Sequence, residues 1–290
     1  MTVGFVGFGE AASSIAAGLH EEGVERIVCF DVMRNDPRFQ DAFQKKLAVC
    51  GGEMLETAAQ VCQEADIVFS ATPSQFAVAA AEGAAPGMRE GLIFADVSTT
   101  TPLEKKKIAA IAAEKGTLFV DGAMMGALLK DRHKVQMLLC RDGAKPMMEL
   151  MAPYHMRLEY VEGEVGTATS IKFIRSITTK GVSCLLIESL WAAKRFGVEQ
   201  TIVDSIIDSF GPEFKGIVDS YVSGAIIHAL RREHEMENVV DFLKSEDLPY
   251  TMADATRQWL AWLDENDIKG RFANGVPRRW EGVLEEWGLE

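Results

Sequence analysis

The stretch 4-GFVGFGEAASSIAAGL-19 joins an apolar run to an alanine-rich segment through a glycine-rich turn. The apolar residues before Gly7 predict a β-strand, and the small residues after Glu10 predict an α-helix. Gly7 permits the tight bend between the two elements, and Ala12 is small enough to let the helix pack closely on the strand. This strand–turn–helix unit predicts that the chain begins with an α/β fold.

The same stretch has the spacing of a dinucleotide-binding turn, GxGxxA. Gly9 lets a pyrophosphate approach the backbone, and the N-terminus of the helix offers N–H groups to the anion. The predicted cofactor-binding residues of this turn are Gly7, Phe8, Gly9, Glu10, Ala11 and Ala12. A glycine turn that binds no nucleotide is the alternative, but the flanking strand and helix favour the cofactor.

The choice between NAD and NADP depends on the end of the second predicted strand. Asp31 lies there, where a carboxylate can accept hydrogen bonds from the adenosine ribose and would repel a 2′-phosphate. Arg34 follows three residues later and offers a partner for that phosphate. Asp31 therefore favours NAD, and NADP remains the alternative.

Further apolar runs continue the alternation of strands and helices. The predicted strands are 2–8, 26–31, 66–72, 92–98, 117–122, 134–140 and 157–161, and helical segments such as 57–65 and 102–116 separate them. Several runs are apolar throughout, as in parallel strands that are covered on both faces. The pattern predicts a doubly wound Rossmann-type sheet, with its ligand crevice at the carboxyl ends of the strands.

After about residue 163 the strand pattern stops and long helical patterns follow. The predicted helices are 165–196, 200–210, 212–227, 228–246 and 249–266. We therefore expect an NAD(P)-binding Rossmann domain over 1–163 and an all-α substrate and dimerisation domain over 164–290. The long helix and its apolar neighbours need covering, which favours a homodimer or a higher homo-oligomer.

Composition and charge narrow the function classes. The 290 residues carry a net charge of −13, which disfavours DNA and RNA as partners because phosphate binding needs a concentrated positive face. No apolar run reaches the ~18 residues of a membrane span, and the N-terminus lacks the basic region of a secretory signal. We expect a cytoplasmic protein without membrane or nucleic-acid partners.

Five cysteines are scattered along the chain without a CxxC pair, and no HExxH occurs. Buried small hydrophobes in a reducing compartment are the simplest interpretation of these cysteines. No metal site is predicted.

Three segments follow predicted strands on the side where the crevice should open. They are 71-ATPSQ-75, 96-DVSTTTP-102 and 121-DGAMMGA-127. Together with 166-GTATSIKFIRS-176 they resemble the β-hydroxyacid dehydrogenase family, which includes 3-hydroxyisobutyrate and 6-phosphogluconate dehydrogenases. The resemblance covers nearly the whole chain. Stretches 179–193 and 228–243 look like its phosphogluconate dehydrogenase-like subgroup.

The resemblance implies roles for residues of these segments. Thr72 and Pro73 would contact the cofactor. In the family, the DxSTxxP segment helps to bind the substrate carboxylate, here through Ser98, Thr99 and nearby backbone N–H groups. Gly126 keeps the glycine of the next family motif, although Met125 replaces a polar residue before it. Ser and Thr before a proline also suit a helix N-cap, and both interpretations can hold together.

The family's catalytic signature, GxxGxxxKxxxN, is present with altered spacing in 163-GEVGTATSIK-172. The resemblance implies that Lys172 is the acid–base. Ser176 stands where the family has asparagine, and Arg175 is not what the better-known members carry, so both are candidates for substrate binding. A solvated surface lysine is the alternative for Lys172, and Lys180 is a competitor that lacks the flanking glycines.

An acid–base lysine requires a lowered pKa, because free lysine is mostly protonated near pH 7. Burial among apolar neighbours and the like charge of Arg175 would both act in this direction, although Arg175 could equally bind an anionic part of the substrate. The sequence predicts an NAD(P)-dependent oxidoreductase that interconverts a small anionic β-hydroxy acid and its keto form. An imine reductase on the same scaffold and a non-catalytic dinucleotide-binding regulatory protein are the alternatives.

Overall fold

The computed structural model describes residues 1–126 and 128–287. It divides the chain into two compact units, of which the first comprises Met1–Lys172 and the second begins at Phe173. The last strand of the first unit ends at Tyr160, and the helix that follows begins at Thr167. The boundary between the units therefore lies inside that helix, after its first turns.

The strands of the described residues form one eight-stranded sheet in the order β3-β2-β1-β4-β5-β6-β7-β8. The strands are β1 Thr2–Val6, β2 Arg26–Phe30, β3 Glu53–Met54, β4 Ile67–Ser70, β5 Ile93–Asp96, β6 Leu118–Met124, β7 Met137–Cys140 and β8 Leu158–Tyr160. The order reverses between β1 and β4, which is the switch point of a Rossmann-type sheet, where the crevice for a ligand opens. All seven sequence-predicted strands are present, and β3, with two residues, is the one that the sequence pattern did not predict.

One pairing departs from the parallel arrangement. β7 runs antiparallel to β6, whereas β8 returns to a parallel pairing with β7. Residues 125–136 connect β6 to β7, and their α-helix, α6 (Leu128–Asp131), has a single turn. The described part of this connection has no α-helix longer than one turn that could cross the face of the sheet, and the chain folds back on itself.

The other helices of the first unit pack on the sheet. They are α1 Glu10–Glu21, α2 Gln40–Cys50, α3 Ala58–Glu64, α4 Ala77–Ala84, α5 Pro102–Ala113 and α7 Ala144–Met151. β4 and β5 are buried at every position, as expected for strands that are covered on both faces. Thr101 caps α5 in a reciprocal capping box with Glu104, and Pro102 occupies the first turn.

All regular secondary structure among the described residues of the second unit is helical. After α8 (Thr167–Phe196), which begins in the first unit, it contains α9 Glu199–Phe210, α10 Phe214–Ile227, α11 Ala229–Ser245, α12 Thr251–Glu265 and α13 Trp280–Glu286. Trp191 on α8 contacts the rings of Trp259, Trp262 and Trp287, at centroid distances of 6.1, 5.1 and 5.8 Å. Among the described helices we find none with the length and apolar character that membrane crossing requires.

All five cysteines are buried and have free thiols. Burial raises the pKa of the Cys62 and Cys184 thiols to about 12, so both stay protonated at neutral pH. They therefore pack as small hydrophobic residues, as the sequence predicted, and are poor candidates for a nucleophile.

Candidate active site

The glycine turn between β1 and α1 rests against the end of β4. Gly7 has a φ of +81°, and a Cβ there would lie 2.7 Å from Cγ2 of Thr72. A side chain at this position would therefore be strained and would clash. A Cβ on Gly9 would meet no atom within 4 Å. The backbone at Gly9 thus borders open space, into which a ligand can come close.

The turn is held by two charged side chains. Oδ2 of Asp31 accepts the N–H of Phe8 at 2.8 Å, and Oδ1 accepts the N–H of Met33 at 2.9 Å. Nζ of Lys46 donates to the carbonyl oxygen of Phe8 at 3.2 Å. The side chain of Phe8 is fully buried, so only its backbone is available to a ligand.

The donors of this turn fit a dinucleotide pyrophosphate. α1 has no side-chain cap, so the N–H groups of Glu10, Ala11 and Ala12 lack the partners that a cap or an earlier turn would supply. Oγ1 of Thr72 is buried without a hydrogen-bond partner in the described residues. Pro73 follows it and accepts the N–H of Phe76 at 3.0 Å. Free helix N–H groups beside an unpaired hydroxyl make a site for an anion.

Arg34 lies next to this turn but is already paired. Its guanidinium stands over the ring of Phe30, with Cζ 5.1 Å from the ring centroid. Its Nη2 donates to Oε2 of Glu56 at 3.0 Å. The cation that could recognise a 2′-phosphate is therefore bound to a carboxylate of this chain.

A buried ion network joins the carboxyl end of β5 to the middle of β6. The side chains of Asp96, Lys105 and Asp121 have no exposed surface. Nζ of Lys105 is 2.7 Å from Oδ2 of Asp96 and 3.6 Å from Oδ1 of Asp121. It also donates to the carbonyl oxygens of Asp96, at 2.6 Å, and of Gly122, at 3.4 Å. Lys105 thus links the end of β5 to the middle of the neighbouring β6.

Ser98 is oriented by this network. Its Oγ donates to the carboxylate of Asp96, with 2.8 Å to each oxygen. The hydroxyl proton therefore points at Asp96, and the lone pairs of Oγ point elsewhere. Gly126, in the connection after β6, is exposed, and Met125 before it donates its N–H to the carbonyl oxygen of Gln136 at 2.8 Å.

Asp121 also fixes the start of α8. Its Oδ2 accepts the N–H groups of Gly166, Ala168 and Thr169 at 3.0, 3.1 and 3.4 Å, and its Oδ1 accepts the hydroxyl of Thr169 at 2.8 Å. A carboxylate at a helix N-terminus satisfies unpaired donors and favours the helix dipole. Gly166 has a φ of +101°, and a Cβ there would lie 2.7 Å from Cβ of Pro102. This glycine therefore lets the helix begin close to α5.

Lys172 lies little more than one turn into this helix. Its Nζ donates to Oγ1 of Thr99 at 2.8 Å, and its side chain is half-buried. The contact brings the 96-DVSTTTP-102 segment and the lysine of the helix motif together, although they are 73 residues apart in the sequence.

Arg175 and Ser176 belong to the second unit. Arg175 is exposed. Ser176 is buried, and its Oγ accepts from Nζ of Lys180 at 3.0 Å. Lys180 pairs with Glu235 at 3.0 Å, and burial lowers its pKa despite that partner. The competitor lysine is therefore engaged inside the helical unit.

Comparison with known families shows to which family the chain belongs. The model of the NAD binding domain of 6-phosphogluconate dehydrogenase matches residues 2–149, more than half of the chain. The chain belongs to the β-hydroxyacid dehydrogenase family. A second family, a domain of unknown function termed DUF1932, matches residues 193–263, inside the helical unit.

Three relatives span most of the chain. A conserved hypothetical protein from Sinorhizobium meliloti is 32% identical, with a TM-score of 0.77 over 99% of this chain and 95% of that one. A conserved protein of unknown function, described as structurally similar to 3-hydroxyacid dehydrogenases, is 29% identical, with a TM-score of 0.73 over 93% of this chain and 99% of that one. The 2-(hydroxymethyl)glutarate dehydrogenase of Eubacterium barkeri is 23% identical over 71% of this chain and 67% of its own.

The family membership makes the first unit an NAD(P)-binding domain and the chain a 3-hydroxyacid dehydrogenase-like oxidoreductase. Within that unit, the structure brings Thr72 against the glycine turn, Asp31 against Phe8, and Lys172 against Thr99. The sequence had predicted residues 7–12 and Asp31 from the dinucleotide turn, and the resemblance had implied roles for Thr72, Thr99 and Lys172, without giving these contacts.

Sequence reasoning missed the residues that position this family's motifs. Lys105 stands in the run 105-KKK-107 and looks like one of three solvated lysines. Its complete burial could have been suspected only from Asp96 and Asp121, two acidic residues within predicted apolar strands, which need a cation if they are buried. Glu56 had no sequence signal, because its partner Arg34 is 22 residues away.

Proposed function

We propose that this protein is an NAD-dependent dehydrogenase that interconverts a small β-hydroxy acid and its keto form, with Lys172 as the acid–base. The observation that carries this proposal is the 2.8 Å hydrogen bond from Nζ of Lys172 to Oγ1 of Thr99. It sets a cation beside the segment that resembles the family's carboxylate-binding motif. A lysine that served only as solvated surface would have no reason to be held there.

In the oxidising direction Lys172 takes the proton from the substrate hydroxyl as the C–H bond breaks. NAD, when bound, accepts the hydride. Thr99 holds Nζ of Lys172 in place in both protonation states, because its Oγ1 can accept an N–H of the amine or of the ammonium group. In the reducing direction Lys172 returns the proton to the new alkoxide oxygen.

The substrate is held, in this proposal, by Ser98, Thr99, Gly126, Arg175 and Ser176. Because the Ser98 hydroxyl donates to Asp96, we assign the substrate carboxylate to backbone N–H groups of the segment that follows β5. The lone pairs of Ser98 then face the substrate hydroxyl rather than its carboxylate. Cofactor contacts are assigned to residues 7–12, Asp31, Thr72 and Pro73.

The test is a spectrophotometric assay of NADH formation with a panel of hydroxy acids. The panel contains 3-hydroxyisobutyrate and 2-(hydroxymethyl)glutarate, with lactate as a control whose hydroxyl is α to the carboxylate. Turnover confined to β-hydroxy acids supports the proposal. Lys172→Ala should then lower kcat by roughly 10²–10⁴ and leave NADH affinity unchanged.

The matched control is Lys106→Ala, which removes an exposed lysine from α5. It should leave both kcat and NADH affinity as in the wild type. Near-normal turnover of Lys172→Ala would remove the acid–base role, and reduction of imines in preference to keto acids would favour the imine reductase alternative.

We also propose that the helical domain, 164–290, carries a homodimer contact. Large apolar side chains remain exposed on α8, among them Ile174 (56%), Leu185 (52%) and Phe196 (80%). They recur at intervals of 11 residues, about three helical turns, so they lie along one face of α8, and exposed apolar faces of this kind are usually covered. Light scattering coupled to gel filtration gives the copy number, and Leu185→Asp together with Phe196→Asp should lower it. A wild-type monomer would contradict this part of the proposal.

A further inference from the structure

Two arginines follow β2, where the 2′-phosphate of NADP would have to bind. Both guanidinium groups are paired within the chain. Nη2 of Arg34 is 3.0 Å from Oε2 of Glu56, and Nη2 of Arg38 is 2.6 Å from Oδ2 of Asp36. The two pairs differ in burial. The side chain of Arg38 is 75% exposed, whereas that of Arg34 is 21% exposed.

The Arg34 guanidinium is close to the glycine turn. It lies over the ring of Phe30, and the carbonyl oxygen of Phe30 accepts the N–H of Gly7 at 2.9 Å. Nε of Arg34 is buried and has no acceptor among the described residues. The orientation of the guanidinium is therefore set by the Phe30 ring on one face and by Glu56 at Nη2.

Glu56 is held in place by the start of α3. Thr57 is the N-cap of that helix and forms a capping box with Gln60. Oε1 of Gln60 accepts the N–H groups of both Glu56 and Thr57, at 3.0 and 3.1 Å. The backbone of Glu56 is thereby fixed beside β2, although its side chain is 75% exposed.

The charges around the adenosine end disfavour a phosphate. Arg34 and Lys46 supply two positive charges, and Glu56 and Asp31 supply two negative charges. Each oxygen of Asp31 accepts one backbone N–H and keeps a lone pair that a ribose hydroxyl can use. A 2′-phosphate, which carries close to two negative charges, would have to displace Glu56 and face Asp31 as well.

We infer that Glu56 is a specificity-determining residue, which selects NAD over NADP by occupying the Arg34 guanidinium. Asp31 accepts hydrogen bonds from the ribose hydroxyls, and the ion pair with Glu56 keeps the Arg34 guanidinium from binding a 2′-phosphate. The inference concerns binding of the nucleotide alone and does not depend on which hydroxy acid is the substrate.

The test measures dissociation constants of NADH and NADPH from the fluorescence of the bound dihydronicotinamide. The wild type should bind NADH more tightly than NADPH. Glu56→Gln should tighten NADPH binding by about five- to tenfold, because an exposed ion pair and the repulsion it adds are worth about that much in an equilibrium constant. NADH binding should change less than about twofold.

Two controls separate the pair from the general field. Glu53→Gln removes the same charge from the neighbouring β3, but from a carboxylate that pairs with Arg26 at 3.0 Å, and it should leave the NADPH constant unchanged. In an Arg34→Ala background, Glu56→Gln should tighten NADPH binding by a clearly smaller factor, because only the direct repulsion between Glu56 and the 2′-phosphate is then relieved.

Three results would overturn the inference. The first is a wild type that binds NADPH at least as tightly as NADH. The second is an equal gain for NADPH from Glu53→Gln and Glu56→Gln, which would assign the effect to net charge. The third is a gain from Glu56→Gln that is equally large without Arg34.

Discussion

Lys105 and Asp96 form an ion pair of 2.7 Å in which neither side chain has any exposed surface. Asp121 is the second carboxylate of this network, and its remaining acceptor positions hold the start of α8. The network therefore supports both segments that meet at Thr99 and Lys172.

Replacing the central cation should be costly. Lys105→Met leaves two buried carboxylates without their counter-ion, and breaking a buried pair in this way costs about 3–5 kcal/mol of the free energy of unfolding. Urea unfolding followed by circular dichroism measures the loss. Lys106→Met, at the exposed neighbouring position, should change the free energy by less than about 0.5 kcal/mol. Equal losses in the two variants would show that the buried ion pair contributes no more to the free energy of unfolding than an exposed lysine does.

Asp121→Asn should loosen the start of α8. An amide nitrogen cannot accept hydrogen bonds, so either the three N–H groups at Oδ2 or the Thr169 hydroxyl loses its acceptor. We expect faster hydrogen exchange at residues 166–169 and, with the substrate identified, a lower kcat at unchanged NADH affinity. Exchange measured by mass spectrometry tests the first expectation. Protection equal to that of the wild type would mean that Asp121 is not the cap.

The two glycines of the cofactor turn should respond differently to alanine. Gly9→Ala adds a Cβ in open space, so stability should be unchanged while NADH binding weakens by about tenfold or more, because the pyrophosphate needs that approach. Gly7→Ala should lose about 1–3 kcal/mol of stability as well, because φ is +81° and the Cβ would crowd Thr72. Thermal unfolding and NADH fluorescence separate the two effects. Unweakened NADH binding in Gly9→Ala would contradict the assigned role of the turn.

His133 should titrate below the ordinary histidine range. Burial lowers its pKa, and Glu22, whose carboxylate is 3.3 Å from Nε2, opposes that shift. Glu22→Gln should therefore lower the pKa of His133 further. Proton–carbon NMR of the imidazole Cε1–H group follows the titration of His133 in both proteins. A rise of the His133 pKa in Glu22→Gln would show that Glu22 does not oppose the shift.

The same shift predicts the sign of a pH effect on stability. A histidine whose pKa is lower in the folded than in the unfolded protein contributes stability above its ordinary pKa, and this is lost as the pH falls through the folded pKa. Lys134 and His155 hold the pKa of Glu22 at about 2, so Glu22 stays ionised throughout that window. Between about pH 7.5 and about pH 5.5 the wild type should lose more stability than His133→Asn. A larger loss in His133→Asn would reverse this sign.

Much of the fold could be predicted because its signals are local. Apolar runs gave the seven longer strands, and Thr101 with Pro102 marked the start of α5. β3 has two residues, too few for a pattern. The antiparallel turn of β7 could not be predicted either, because a run of apolar residues does not encode the direction in which a strand enters a sheet.

The candidate site was predictable only in its parts. The glycine turn and the lysine motif are visible as spacings, whereas the partners that orient them come from distant segments. Nothing in 105-KKK-107 tells which lysine turns inward, and nothing near Ser98 tells that its proton points at Asp96. The inward turn of Lys105 and the direction of the Ser98 proton depend on the pairing of β5 with β6, which places Asp96 beside Asp121. That pairing is a property of the folded sheet.

The connection between Asp96, Lys105 and Asp121 limits how the substrate preference of this protein can be redesigned. Residues that would touch a new substrate lie on segments whose positions these three buried side chains determine. A library of variants that changes only residues lining the crevice leaves these three buried side chains in place. Replacing the segment 96–102 with that of another enzyme also requires compatible partners for all three charges. Grafts that ignore them should fail by misfolding before their catalysis can be judged.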